Sequence, residues 1–329
     1  MARAPQPVPG LLRGPWKDGR GGWTPRQPRG RTPRVARLRR VWYTQGATYP
    51  SAGVVPVRIL LSNDDGIYSP GLWAAVAAVR DLGQPYVVAP DREQSGVGTC
   101  VTLHHPVRAT PVAPMVAGVP TWAVEGTPAD SVILALEMLV GPVDLVISGI
   151  NQGANLGEDV LVSGTVGAAL QGYVRHTNAL AISVTAIQDV HTGAAAWLLR
   201  HLAVRLGEDS LPRPILLNIN LPNVPLEQLQ GIEVTELGQR SWMEVVREGE
   251  DGRRKYYWIS RNRPVHHEVE GTDVWAVRRQ RVSITPLHTR LTFHDAVPPL
   301  REVVAEVARG LRPAAGEGVG EAGRGPGAR

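Results

Sequence analysis

Three short segments carry the side chains best suited to chemistry: Asn63-Asp64-Asp65-Gly66, the run from Asp91 to Gly96, and the Gly- and Asn-rich stretch from Gly149 to Gly157. Each closely follows a short apolar run, RILLS at 58–62, YVVA at 86–89 and DLVIS at 144–148. Two adjacent aspartates point to opposite sides of a regular strand, but in a turn just past a strand end both carboxylates can approach one point. With a hydroxyl from Ser95 and an amide oxygen from Asn151 they make an all-oxygen, doubly acidic set. Such donors suit Mg²⁺, Mn²⁺ or Ca²⁺ rather than Zn²⁺. Taken alone, DDG is equally well a plain turn. Two aspartates with no cation beside them repel, so convergence of the three segments favours a metal.

Ser163-Gly164-Thr165 forms a second constellation, placed directly before a small-residue helix. Backbone N–H groups at a helix N-terminus, with flanking hydroxyls and a glycine that permits close approach, make an anion site. The plainer reading is that Ser163 or Thr165 only caps the helix. The preceding Gly/Asn-rich loop is costly in chain entropy if it serves merely as a connector, which favours the anion site. A metal beside a phosphate describes phosphoester hydrolysis. The histidines add little: there is no HExxH, and His104-His105 and His266-His267 are pairs whose side chains diverge on a strand.

These residues need elements to position them. Strand 58–62, a helix over 71–82 with Leu72, Val76 and Val79 on one face, and strand 86–89 form a strand-helix-strand unit. Thr127, Pro128 and Asp130 read as an N-cap, a first-turn proline and an early acid, predicting a helix to about Leu139. Strand 144–148, a loop over 149–164, a helix 165–175, strand 179–184, a helix 194–205 and strand 215–221 follow. Such alternation predicts a mostly parallel α/β sheet with helices on both faces, where ligands bind beyond the carboxyl ends of the strands. Beyond 221 the pattern predicts hairpin strands at 232–237, 255–260 and 281–286 with no strong helix between them. A helix over 297–311, striped by Leu300, Val303, Val304 and Val307, closes the fold.

The 329 residues suffice for one large α/β domain with an appendage. Residues 1–56 hold 11 of the 35 Lys and Arg and one of the 30 acids, Asp18, leaving the remainder with 24 basic and 29 acidic residues. The basic character belongs to this Pro/Gly-rich leader, which reads as disordered, as does the tail 312–329. The folded body is 57–311, divided into an α/β core 57–221 and a hairpin extension with C-terminal helix 222–311. A single cysteine, Cys100, excludes internal disulfides and CxxC motifs, so a reducing cytoplasmic setting is the default. No apolar stretch is long enough to span a membrane. With only Lys17 and Lys255 as lysines, a Walker loop is excluded.

The ordered motifs NDDG, APDREQSG, EGTPAD, SGINQGANLGEDVLVSGTVGAALQG, LNINLP and SITPL resemble, in that order, the survival protein E (SurE) family of metal-dependent nucleoside 5′-monophosphate phosphatases. The resemblance covers about residues 57–300. It implies a Rossmann-like core with a β-hairpin extension and a swapped C-terminal element that builds homodimers or homotetramers. It implies one divalent cation per subunit, Mg²⁺ or Mn²⁺, on Asp64, Asp65, Ser95 and Asn151, the residues reached above from strand ends. Phosphate contacts would fall on Asn151, Ser163, Gly164 and Thr165, and either Asp64 or Asp65 would accept the proton of the attacking water. Two departures stand out, Val162 where the family usually has tyrosine and Glu93-Gln94 where it has Asn-Arg, and both bear on which nucleotide is preferred.

The expected substrate is a nucleoside 5′-monophosphate, with no membrane and no specific nucleic acid as partner. Three other classes compete less well. A dinucleotide oxidoreductase needs a GxGxxG turn after the first strand, and Asp64 and Asp65 would repel a pyrophosphate. An aspartyl-phosphate phosphatase needs DxD and a core lysine, both absent from the body. A non-enzymatic nucleotide-binding stress-response module is separated from an enzyme only by assay.

Overall fold

The computed structural model describes residues 57–206, 211, 213–241, 244–252, 254–261, 265–266 and 268–309. The expectations for the leader 1–56 and the tail 312–329, and for the last turn of the closing helix beyond 309, fall outside the described residues.

The first strand, β1 (Val57–Ser62), is buried on both faces, with Ile59, Leu60 and Leu61 fully inaccessible. Helix α1 (Pro70–Val79) starts on a first-turn proline and buries Leu72, Val76 and Val79 as their spacing predicts. Strand β2 (Gly83–Pro90) returns parallel to β1. Strands β3 (Ala109–Pro111) and β4 (Thr121–Val124), not anticipated from the sequence, form the edge beyond it. Helix α2 (Pro128–Leu134) opens on a complete capping box: Asp130 N–H donates to Thr127 Oγ1 at 3.0 Å and Thr127 N–H to Asp130 Oδ2 at 2.9 Å. It runs into a five-residue π turn, Ala135–Leu139. Strand β5 (Leu145–Gln152) reaches four residues past the expected Ser148. Helix α3 (Gly164–Val174), strand β6 (Asn178–Val184), helix α4 (Thr192–Arg205) and strand β7 (Leu216–Leu221) complete the predicted alternation.

The later residues differ from expectation in placement. Strand β8 (Ile232–Val234) precedes β9 (Arg240–Ser241), then β10 (Glu244–Glu250) and β11 (Lys255–Arg261) form an antiparallel hairpin. Strand β12 (Val265–His266) pairs with β9. An unpredicted helix α5 (Asp273–Arg278) comes next, capped by Thr272, whose Oγ1 accepts from Trp275 N–H. Strand β13 (Val282–Leu287), expected in a hairpin, instead pairs antiparallel with β7 and parallel with β8 in the main sheet. Helix α6 (Val297–Arg309) closes the described chain.

The nine-stranded sheet runs β3-β4-β2-β1-β5-β6-β7-β13-β8, and its central pairings are parallel. Helices α1 and α4 cover one face, with Leu72, Val76, Leu198 and Leu199 in one core cluster. Helices α2 and α3 cover the other, with Val132, Val166, Ala168 and Ala169 in a second. The chain leaves β1 toward β2 on one side and fills β5 on the other. Strand order therefore reverses beside β1, which opens a crevice beyond the carboxyl ends of β1 and β5.

Candidate active site

Asp64 and Asp65 stand in the turn immediately beyond β1, at the mouth of that crevice. The turn is held rigidly. Asn63 Nδ2 donates to Gly66 O at 3.0 Å, Ile67 N–H reaches Pro90 O at 2.8 Å, and Trp73 Nε1 donates to Ile67 O at 2.7 Å. Asp64 is almost completely buried, and its Oδ1 accepts a 2.5 Å hydrogen bond from Thr165 Oγ1. Burial raises its pKa above the ordinary carboxylate value, and the Thr165 hydroxyl opposes that rise. Asp65 is pushed up to about 7, first by burial and then by the charge of Asp64. Its Oδ2 is buried with no hydrogen-bond partner. Two crowded carboxylates, one with an oxygen lacking any donor, form a deficit of positive charge that a cation would fill.

The other loops close on this pair. Gln94 N–H donates to Asp64 O at 2.7 Å, which draws the loop after β2 over the turn. A Cβ added at Gly164 would lie 2.8 Å from Asp64 Cβ and 3.2 Å from Gln94 O, so only glycine lets α3 begin this close. At β5 the register with β6 slips between Ser148 and Asn151. Gly149 takes φ +122° there, and a Cβ on it would meet Ile182 O at 2.2 Å. The irregularity lets Asn151 end up at the carboxyl end beside Gln152, whose backbone bonds Asp65.

The structure thus brings Asp64, Asp65, Asn151, Gly164 and Thr165 to one place. Asn151 Nδ2 donates to Gly153 O at 2.7 Å, which leaves its Oδ1 to act as a donor atom toward a metal. Ser163 is a working N-cap, with Val166 N–H donating to its Oγ at 3.1 Å, and its own O–H still has a proton to give. Thr165, expected on the phosphate, spends its hydroxyl on Asp64. Ser95 is exposed and donates to Glu93 Oε1 at 2.8 Å, so here it faces a carboxylate and not the aspartate pair. Glu93 itself, unremarked as a site residue, adds negative potential that raises both Asp64 and Asp65.

Among the described residues no group of three or more His, Cys, Asp or Glu gathers as a metal site. A cation here would rest on mixed donors, two carboxylates with amide and hydroxyl oxygens. Such hard, all-oxygen ligands fit Mg²⁺ or Mn²⁺. Sequence reasoning placed Asn155 in the loop after β5 but missed Asn218, Asn220 and Asp273, which are buried and bond that loop from behind. The signal was available in LNINLP: two asparagines on one face of a fully buried strand require polar partners.

Residues 59–244 match the family described as Survival protein SurE. The chain is 47% identical over 249 residues to the 5′-nucleotidase SurE of Dehalococcoides mccartyi (strain CBDB1), covering 75% of this chain and 94% of that protein. It is 42% identical over 248 residues to the 5′-nucleotidase SurE of Geobacter sulfurreducens, covering 74% and 93%. The crystal structure of the SurE protein from Aquifex aeolicus superposes with a TM-score of 0.65 at 36% identity, covering 75% of this chain and 99% of that one. With the ordered motifs, the fold and the aspartate pair all in agreement, this chain belongs to the SurE family.

Proposed function

We propose that the chain is a metal-dependent phosphomonoesterase that hydrolyses nucleoside 5′-monophosphates to nucleoside and phosphate. The observation that carries this is the Asp64–Asp65 pair, Asp64 buried and Asp65 half-buried, lying against the start of α3 at the point where strand order reverses. The name 5′-nucleotidase, borne by its relatives, fits that chemistry.

Asp64, Asp65 and Asn151 Oδ1 would hold the cation, joined by Ser95 once its hydroxyl turns from Glu93. When bound, a divalent cation supplies Lewis acidity to the phosphoryl group and to the attacking water. Thr165 fixes the Asp64 carboxylate so that it need not reorganise during the reaction. The N–H groups of the first turn of α3, the close approach at Gly164 and the remaining proton of Ser163 bind the phosphate oxygens. Asp64 or Asp65 takes the proton of the attacking water.

The cation is Mg²⁺ or Mn²⁺ in this reading, and the setting is cytoplasmic. Among the described residues no helix is long and apolar enough to cross a membrane. A homodimer or homotetramer is supported by apolar side chains left exposed on the later elements, Val246, Tyr257, Trp258 and Ile259 on the hairpin and Val303 and Val307 on α6. No specific nucleic-acid partner is proposed.

Phosphate release from AMP, measured with Mn²⁺ and again after dialysis against EDTA, tests the function. Activity should vanish in EDTA and return with Mn²⁺ or Mg²⁺, and Asp64→Asn and Asp65→Asn should each cut turnover by orders of magnitude. Full activity in metal-stripped protein would overturn the reading. Tight AMP binding without hydrolysis would favour a non-enzymatic nucleotide-binding module instead.

A further inference from the structure

The loop after β5 links the two halves of the candidate site, Asn151 at its start and Ser163-Gly164-Thr165 at its end. Its middle is gripped by residues far away in sequence. Asn220 meets the backbone of Asn155 with both ends of its amide: Asn155 N–H donates to Asn220 Oδ1 at 2.8 Å, and Asn220 Nδ2 donates to Asn155 O at 3.0 Å. Asn218, two residues earlier on the same face of β7, adds a bond to Asn155 O at 2.8 Å. The Asn155 side chain donates to Ser183 Oγ on β6 at 2.9 Å.

Two residues on, Gly157 N–H donates to Asp273 Oδ2 at 2.8 Å. Asp273 sits at the start of α5, fully buried, and its Oδ1 accepts from Gly238 and Val274 N–H, each at 2.8 Å. Leu156, between the two anchored residues, packs on Val274 and Val277 of the same helix. These groups bond the loop from behind, whereas Asp64 of the aspartate pair is held by Thr165. All of them fix the chain that carries Asn151 and leads to the anion site.

We propose that Asn218, Asn220 and Asp273 are positioning residues, and that through this buried clamp on residues 155–157 the C-terminal part of the chain sets metal and phosphate affinity. This rests on the activity proposed above. Asn220→Asp keeps the side-chain shape but sets a carboxylate oxygen against Asn155 O. Asp273→Asn keeps one acceptor oxygen but turns an NH₂ toward one of its former donors, Gly157 or Gly238 and Val274. Both thus loosen the loop without removing a side chain from the site.

The test uses the full chain, well below its melting temperature, with Mn²⁺ binding followed by calorimetry and AMP hydrolysis by steady-state kinetics. Residues that orient metal ligands from behind typically govern about 10- to 100-fold in affinity. Both variants should weaken Mn²⁺ binding and raise KM for AMP in that range, while kcat falls far less. Thr285→Val is the control. Thr285 is equally buried and bonds Thr235 Oγ1 at 2.7 Å, so its loss should lower Tm and leave both constants unchanged. Where Asn220→Asp fails to fold, Asp273→Asn carries the test alone. A fall in Tm with unchanged Mn²⁺ affinity and KM would overturn the proposal. A wild-type chain that binds Mn²⁺ yet leaves AMP intact would overturn the proposed function instead, and the Mn²⁺ titrations would still decide the clamp.

Discussion

Stripped of metal, the protein should grow more stable as pH falls, with Asp65 responsible. Burial and the neighbouring Asp64 charge hold the Asp65 carboxyl up to about 7 in the folded chain, against an ordinary 3.8. Between those values the folded state keeps a proton that the unfolded chain has released. By linkage, nothing is lost below the lower value, and stability drains away as pH rises through the upper one. At 1.36 kcal/mol for each pH unit between them, the full loss is about 4 kcal/mol, of which about 2 kcal/mol returns on going from about pH 8 to about pH 5.5. In a body of this size that is about 4–8 °C in Tm. Asp65→Asn carries no charge at any pH, so the difference between wild-type and variant melting curves in EDTA isolates the effect. The variant should lead at pH 8 and its lead should narrow by that amount toward acid. Manganese should reverse the trend in the wild type, because ligation needs deprotonated carboxylates, and should do little for the variant. Parallel curves in EDTA would refute the reasoning.

Gly164→Ala should lower Tm and weaken Mn²⁺ binding about tenfold, despite alanine's helix preference of up to about 1 kcal/mol, because the new methyl meets Asp64 Cβ at 2.8 Å. A more stable variant with normal Mn²⁺ affinity would show that Asp64 moves aside freely. Ser163→Ala should cost about 0.5–2 kcal/mol in thermal unfolding as a lost cap and also reduce kcat/KM. Thr165→Val should cost about 1–3 kcal/mol and shift Mn²⁺ affinity before it shifts phosphate affinity, since its hydroxyl serves Asp64. A chain beginning at Val57 should keep the Tm and AMP turnover of the whole, because the basic, Pro/Gly-rich leader has no apolar periodicity to support a buried face, and a large loss of either would show that the leader packs on the body.

Apart from the edge strands β3 and β4, the order of strands and helices up to Leu221 was legible because apolar runs and capped helices there are local signals, as at Thr127-Pro128 and Leu72/Val76/Val79. The aspartate pair and Asn151 were legible for a related reason: chemistry in a parallel sheet gathers at strand ends, and strand ends can be read from the sequence. Other features depended on distance. Nothing near Thr165 says that its hydroxyl turns to a residue 101 positions earlier. Short strands such as β8 and β13 declare no partner, so a strand that completes the main sheet looked like part of a hairpin. Helix α5, six residues long, is too short for periodicity to reveal, although its Thr272 cap was in plain view.

The clamp on Asn155 and Gly157 also bears on how the protein comes to be. Every candidate ligand and phosphate contact lies before residue 166, whereas Asn218, Asn220 and Asp273 come after residue 216, and 116 positions separate Gly157 from Asp273. Chains emerge from the ribosome N-terminus first, and contacts between distant segments form last. A growing chain therefore displays its candidate metal and phosphate residues well before the segment that steadies them has been synthesised. On the clamp proposed above, tight metal and phosphate binding waits until the segment through Asp273 has been made, and a chain broken near Val184 would carry Asp64, Asp65, Asn151 and the Ser163–Thr165 run without Asn218, Asn220 or Asp273 to steady the loop between them.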